Sequence, residues 1–216
     1  SLDKKRTAVD FGAQIAHGAV RGYVMGERGA RNEPATAEDI ERMYAIVREG
    51  LEAGALGFST SRTMGHRAVD GEPVPGTFAA EDELFGIGQA LADTGCGVFE
   101  LANAGTGGEV TGDGIDDALT EIEWMHRLSA KIERPASFAL LQFDSRPDLW
   151  RELLSICEKT RKDGAQVVAQ FAARPFGILA GHQTEANPFL NRPAYLEIAE
   201  LPLAERAARL RDPSVR

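Results

Sequence analysis

Between Gly54 and Thr77 the sequence reads GALGFSTSRTMGHRAVDGEPVPGT. Small and apolar residues through Phe58 have the character of a buried strand, and hydroxyl, guanidinium, imidazole and carboxylate groups come after them. Arg62, His66, Arg67 and Asp70 share one loop marked by Gly and Pro. A guanidinium holds a carboxylate through two parallel hydrogen bonds, so Arg62 and Arg67 are candidates for binding an anionic substrate. An imidazole beside a carboxylate moves protons near neutral pH, which makes His66 and Asp70 candidate catalytic groups. The structural alternative is a loop tied down by its own ion pairs. Glu100 is the third polar feature, set inside the apolar run VFELA. A carboxylate in a strand is costly to bury unless it is paired or metal-bound. Pointing into a barrel interior, Glu100 is a candidate acid, base or metal ligand; pointing outward, it is a residue paired with Lys or Arg.

The other histidines are His17, His126 and His182, and no two form a His-x-His or His-x-x-x-His metal pair. His17 follows a strand, at the end where a parallel sheet keeps its active site, and a structural hydrogen bond is its expected role. His126 lies inside a predicted helix and reads as a surface or half-buried residue. His182, in AGHQTEANPF, suggests no chemistry. The glycine-rich stretch Gly105 to Gly114 lacks both the Gly-Lys-Ser/Thr ending of a phosphate loop and the dinucleotide fingerprint, and reads as a flexible surface loop.

These residues need a frame. Strands are expected at Ala8 to Ile15, Ala55 to Ser59, Val98 to Leu101, Ala136 to Leu141 and Gln166 to Phe171. Helices are expected between them, at Ala19 to Met25, from the Thr36 cap to Leu51, Glu81 to Asp93, Asp117 to Lys131 and Pro147 to Gly164. A further one runs from Leu203 to Leu210. Capping and spacing carry the clearest of these: Thr36 precedes Asp39 by three, and Ile40, Met43, Tyr44, Val47 and Leu51 share one helical face. Alternating strands and helices mean an α/β fold with a parallel sheet. Part of an eight-fold β/α (TIM) barrel fits, and so does an open doubly wound sheet.

Composition narrows the partners. Of 216 residues 43% are hydrophobic, and the net charge is −9 with no basic stripe, which argues against nucleic acid. No apolar run reaches the roughly 20 residues of a membrane span. The start lacks a secretory core and an initiator Met, so a cytoplasmic chain that is processed, tagged or cut from something longer is expected. Cys96 and Cys157 are far apart and suggest no disulfide framework.

Several segments together resemble one family. IAHGAVRGYVMGERGARNEPATAEDIERMYAIVREGLEAGALGFSTSRT, then GVFEL, RPASFALLQ and LPLAERAARLRDP, closely resemble the D-aminoacylase (N-acyl-D-amino-acid deacylase) group of metal-dependent amidohydrolases. The carrying features are His17-Gly18 with Arg21 after it, Pro34 to Thr36, and Glu52 to Ser61. The resemblance implies a single α/β segment over residues 1–216, equivalent to barrel strands three to seven, without the flanking β-sandwich domain. It implies a zinc-dependent hydrolase of linear amides, acting on a small N-acyl amino acid or related amide. The family's His-x-His would lie upstream of Ser1 and its catalytic aspartate downstream of Arg216. Its fifth strand ends in Thr-His, where this chain reads VFELANAG, and its sixth in Ser-His, where Ala139 and Leu140 stand. Glu100 or Asn103 would have to substitute at the fifth strand. The resemblance thus leaves two expectations: a fragment or divergent member of that hydrolase family, or a catalytically incomplete barrel segment that serves binding or assembly. Bare sheet edges near Ala8 to Ile15 and Gln166 to Phe171 would favour self-association.

Overall fold

The structure, a computed structural model, describes residues 6, 8–105, 114–143, 146–173, 181–184, 187, 189 and 192–214. Most of the glycine-rich stretch Gly105 to Gly114 lies outside them. The chain divides into two compact units, Ser1–Phe171 and Ala172–Arg216.

In the first unit the elements alternate: β1 (Ile15–Ala16), α1 (His17–Met25), α2 (Glu27–Ala30), α3 (Ala37–Glu52), β2 (Gly57–Ser61), α4 (Glu81–Thr94), β3 (Val98–Ala102), α5 (Gly114–Ile132), β4 (Ala136–Ala139), α6 (Leu149–Thr160) and β5 (Val167–Gln170). The local chemistry explains the helices. Asp39 N–H donates to Thr36 Oγ1 at 3.2 Å, and Thr36 N–H donates to Asp39 Oδ2 at 2.9 Å, a reciprocal cap on α3. The helix then buries Met43, Val47 and Leu51 at four-residue spacing. Gly95, in the left-handed conformation at φ 65°, stops α4.

All five strands are parallel and lie in the order β1-β2-β3-β4-β5. A doubly wound sheet reverses its strand order at a switch point. This sheet has no reversal, so the doubly wound alternative is set aside and the run is that of consecutive barrel strands. The expected first strand, Ala8 to Ile15, shrinks to two residues. That segment is at the sheet edge, where a single bond, Leu56 N–H to Ala13 O at 2.9 Å, precedes the ladder, and Val9 and Phe11 are exposed. Accordingly α1 begins at His17, two residues earlier than expected.

Register sorts the side chains onto two faces. Phe58, Phe99, Ala136 and Val167 lie in line, as do Thr60, Leu101, Phe138 and Ala169. Apart from Thr60, these rows pack with the helices in one apolar core, and Phe99 meets Trp124 of α5 edge to face at 5.9 Å between ring centres. The opposite face carries Ala16, Ser59, Glu100, Ser137 and Val168 in line. No helix among the described residues is long and apolar enough to cross a membrane.

The second unit contains α7 (Pro193–Leu196) and α8 (Leu203–Arg211). His182 stacks on Phe189 and Tyr195, with ring centres 5.7 and 5.5 Å away. Arg206 donates to His182 O at 2.6 Å and to Leu201 O at 3.1 Å, tying the ring stack to α8.

Gly57 tests the sheet register. A methyl added there would stand 2.0 Å from Val98 O and 2.7 Å from Val98 N, which only separation of β2 from β3 could relieve. Gly57→Ala should destabilise the protein by about 3 kcal/mol. Gly54→Ala, at φ 100° with open space around it, should cost about 1–2 kcal/mol through backbone strain alone. Urea unfolding of the two variants side by side checks the difference, and equal midpoints would contradict the pairing.

Candidate active site

Parallel β/α units present their chemistry at the C-terminal ends of the strands. There, the face turned away from the helices carries hydroxyls and one carboxylate. Ser59, Glu100 and Ser137 share one level, and Ser61 stands two residues further along β2. Glu100 therefore projects opposite Phe99 and Leu101, the buried residues on either side of it. Among the described residues it has no ion pair or hydrogen bond, so it is not a strand carboxylate matched by Lys or Arg. Neighbouring Ser137 is buried with its Oγ unpartnered among the described residues. Asn103, just past β3, is buried.

The loop after β2 brings Ser61 and His66 together: Oγ and Nδ1 are 2.7 Å apart. It separates His66 from Asp70, whose Oδ1 accepts from Glu72 N–H at 3.1 Å in a tight turn. Arg67 Nη1 donates to Gly71 O at 3.0 Å beside the same turn. Arg62 is tied inward, with Nε donating to Glu121 Oε1 of α5 at 3.1 Å and Nη1 to Ala79 O. Asn32 clamps the far end of the loop, accepting from Gly76 N–H at 2.8 Å and donating to Pro73 O at 3.2 Å. Hydrogen bonds to backbone groups, more than ion pairs, shape this loop.

Beneath it lies a buried polar network. His17 Nδ1 is 2.8 Å from Thr60 Oγ1, and His17 Nε2 is 2.8 Å from Glu83 Oε1. Arg21 Nε donates to the same Glu83 oxygen at 2.9 Å, while its other nitrogens reach Gly29 O at 3.0 Å and Glu33 O. His17 and Arg21 are 1% exposed and Glu83 is 2% exposed. Burial alone would raise the Glu83 carboxyl; the hydrogen bonds and charges of His17 and Arg21 outweigh it and hold the group below the usual carboxylate range. Gly76 lies against the His17 ring, where an added methyl would be 2.6 Å from Nδ1. His17 thus carries the structural hydrogen bonds its position suggested, and the loop rests on it.

His126 departs from expectation. It is 6% exposed, with neither ring nitrogen partnered among the described residues, and burial lowers its pKa and keeps it neutral. Its helix is covered on more than one side, which an amphipathic reading of α5 alone does not show. Cys96 and Cys157 are free and half-buried. Among the described residues no group of three or more His, Cys, Asp or Glu could hold a metal ion. Beyond β4, at Leu140, where an imidazole would be wanted, the side chain offers no donor.

Glu83 and Ser61 escaped the sequence reading. Glu83 sits in EDELF, an acid-rich first turn of a helix, and its partner His17 is 66 residues away with no spacing to link them. Ser61 is separated from His66 by only four residues, but their bond depends on how the loop turns.

A sequence profile of the Amidohydrolase family matches residues 2–216. Among solved structures the chain is similar to one described as "Crystal structure of D-aminoacylase defines a novel subset of amidohydrolases", at 22% identity and a TM-score of 0.56. The match covers 76% of this chain and 30% of that one, so this chain spans under a third of its length. At that identity the likeness shows the fold. No curated protein matches.

Replacing Glu83 by Gln would leave Arg21 as a buried charge without its counter-ion. Glu83→Gln should lower the unfolding free energy by about 3 kcal/mol. The depressed carboxyl contributes stability that is full above its unfolded pKa and is lost as pH falls through the lower folded value. Urea titrations from neutral to acid pH should show that loss in the wild type and its absence in the variant; parallel curves would count against the network.

Proposed function

The chain belongs to the amidohydrolase family, and from that premise we propose that it forms the central strands of a hydrolase of linear amides, of the N-acyl-D-amino-acid deacylase type. The observation that carries this reading is Glu100, a half-buried carboxylate among hydroxyls on the face turned away from the helices. A carboxylate there takes a proton from water as the water oxygen adds to the amide carbon. It returns that proton to nitrogen as the carbon–nitrogen bond breaks. Arg67, exposed on the loop, supplies a cation for the acid group of an N-acyl amino acid; Arg62 could do so only by giving up Glu121.

The resemblance implies zinc. The described residues do not fit it: they offer no three-ligand set, and Leu140 cannot coordinate.

A second reading is a binding or assembly segment. It is favoured by β5, which among the described residues has one neighbour in the sheet and carries Val168, 55% exposed, with Phe171 just beyond it at 73%. Sedimentation velocity over a concentration series distinguishes it. The assembly reading expects concentration-dependent association, and a monodisperse monomer at every concentration would remove it.

For the enzymatic reading, a panel of N-acyl-D- and N-acyl-L-amino acids should give hydrolysis that favours the D series. Glu100→Gln should lower it by about 10²–10⁴-fold while leaving the melting temperature unchanged. Elemental analysis after exhaustive dialysis belongs with this assay. Stoichiometric zinc would show that other ligands compensate for Leu140, and undiminished turnover by the variant would exclude Glu100 from the reaction.

A further inference from the structure

Independently of Glu100, we infer that Ser61 and His66 form an acyl-transfer pair, able to act on aryl and other activated esters. Two observations support this. The first is geometry: Ser61 Oγ and His66 Nδ1 are 2.7 Å apart, the separation of a nucleophile from its general base. The second is position. Ser61 is the last residue of β2, on the side-chain row that faces away from the helices, so the pair opens at the C-terminal ends of the strands. Its surroundings keep it in place and reachable. His66 N–H is directed at Thr63 O at 3.4 Å, and His66 O accepts from Val74 N–H at 3.2 Å, so the backbone on both sides of the imidazole is tied while the ring itself is exposed.

With the ring hydrogen on Nε2, His66 Nδ1 accepts the Ser61 hydroxyl hydrogen. As Oγ bonds to the acyl carbon, that proton passes to Nδ1 and the carbonyl π pair moves onto oxygen. Collapse of the tetrahedral species expels the aryloxide, which takes the proton from His66, and leaves an ester on Ser61. Water then adds to the same carbon with His66 as base. The Oγ–carbon bond breaks, Ser61 recovers its hydrogen, and a carboxylic acid is released. Among the described residues no carboxylate bonds His66; Asp70 Oδ1 accepts from Glu72 N–H instead. A pair without that third member suits good leaving groups, hence esters of phenols in preference to amides.

The test uses the whole chain and an alkyl fluorophosphonate, followed by intact mass and peptide mapping, with p-nitrophenyl acetate as the turnover substrate. One adduct on the peptide containing Ser61 is expected, together with p-nitrophenolate release. Ser61→Ala should abolish the adduct. His66→Gln should slow labelling about tenfold or more, and His66→Gly should regain labelling when imidazole is added. Wild-type circular dichroism spectra for the variants would confirm that they fold. No adduct, an adduct only on another residue, or wild-type labelling in His66→Gln would overturn the proposal. Its failure is separable from that of the amide reading, since the adduct is read on Ser61 whatever Glu100→Gln does to amide hydrolysis.

Discussion

Glu83 brings a negative charge to a place that water does not reach, and the groups around it are arranged to answer that charge. A lone ionised carboxylate in such a place would take up a proton or force the structure open. Here an imidazole and a guanidinium converge on one of its oxygens, and the guanidinium also donates to the carbonyls of Gly29 and Glu33. The result joins α1, the turn after α2 and the start of α4. Through Thr60 it reaches the far end of β2. The loop that carries Arg62 and His66 leaves β2 after Ser61 and returns with Gly76 against the His17 ring. The placement of the exposed chemistry is thus inherited from a buried ion pair that takes no part in it.

The alternation of side chains along the strands does the remaining work. One face of the sheet is mostly Phe, Leu, Ala and Val against helices; the other carries Ser59, Glu100 and Ser137 at its centre. A shift of one residue in any strand would exchange the two, putting Glu100 into the apolar core and Phe99 on the polar face. Gly57 guards against that shift, because its lack of a side chain allows β2 to lie close to the Val98 peptide. Burial on one face therefore determines what is displayed on the other.

How much of the fold and the site could be read from the sequence depends on how local each feature is. The α3 cap and its Met43, Val47 and Leu51 stripe were legible because every partner lies within a turn or two. Parallel β/α alternation was legible for the same reason, element by element. The first strand was not, since an edge segment pairs only as far as its neighbour extends. For His17 the sequence suggested a hydrogen bond but could not say to what. Glu83 looked like one more acid at a helix start, and only folding across 66 residues makes it the partner. The candidate loop residues were found as a set; their pairing was not. His66 met Ser61, and Asp70 caps the backbone of its own turn.

The strand order has a consequence for how the protein is made. Every strand lies beside the one synthesised just before it, and every crossing helix is encoded between the two. As the chain leaves the ribosome, each new β/α unit meets a sheet edge that already exists. Strand pairing can then proceed in the direction of translation, while the charge of Arg21 in α1 waits for Glu83 at the start of α4. The growing edge moves along with synthesis, and each unit needs to bury its apolar row against only one preformed neighbour at a time.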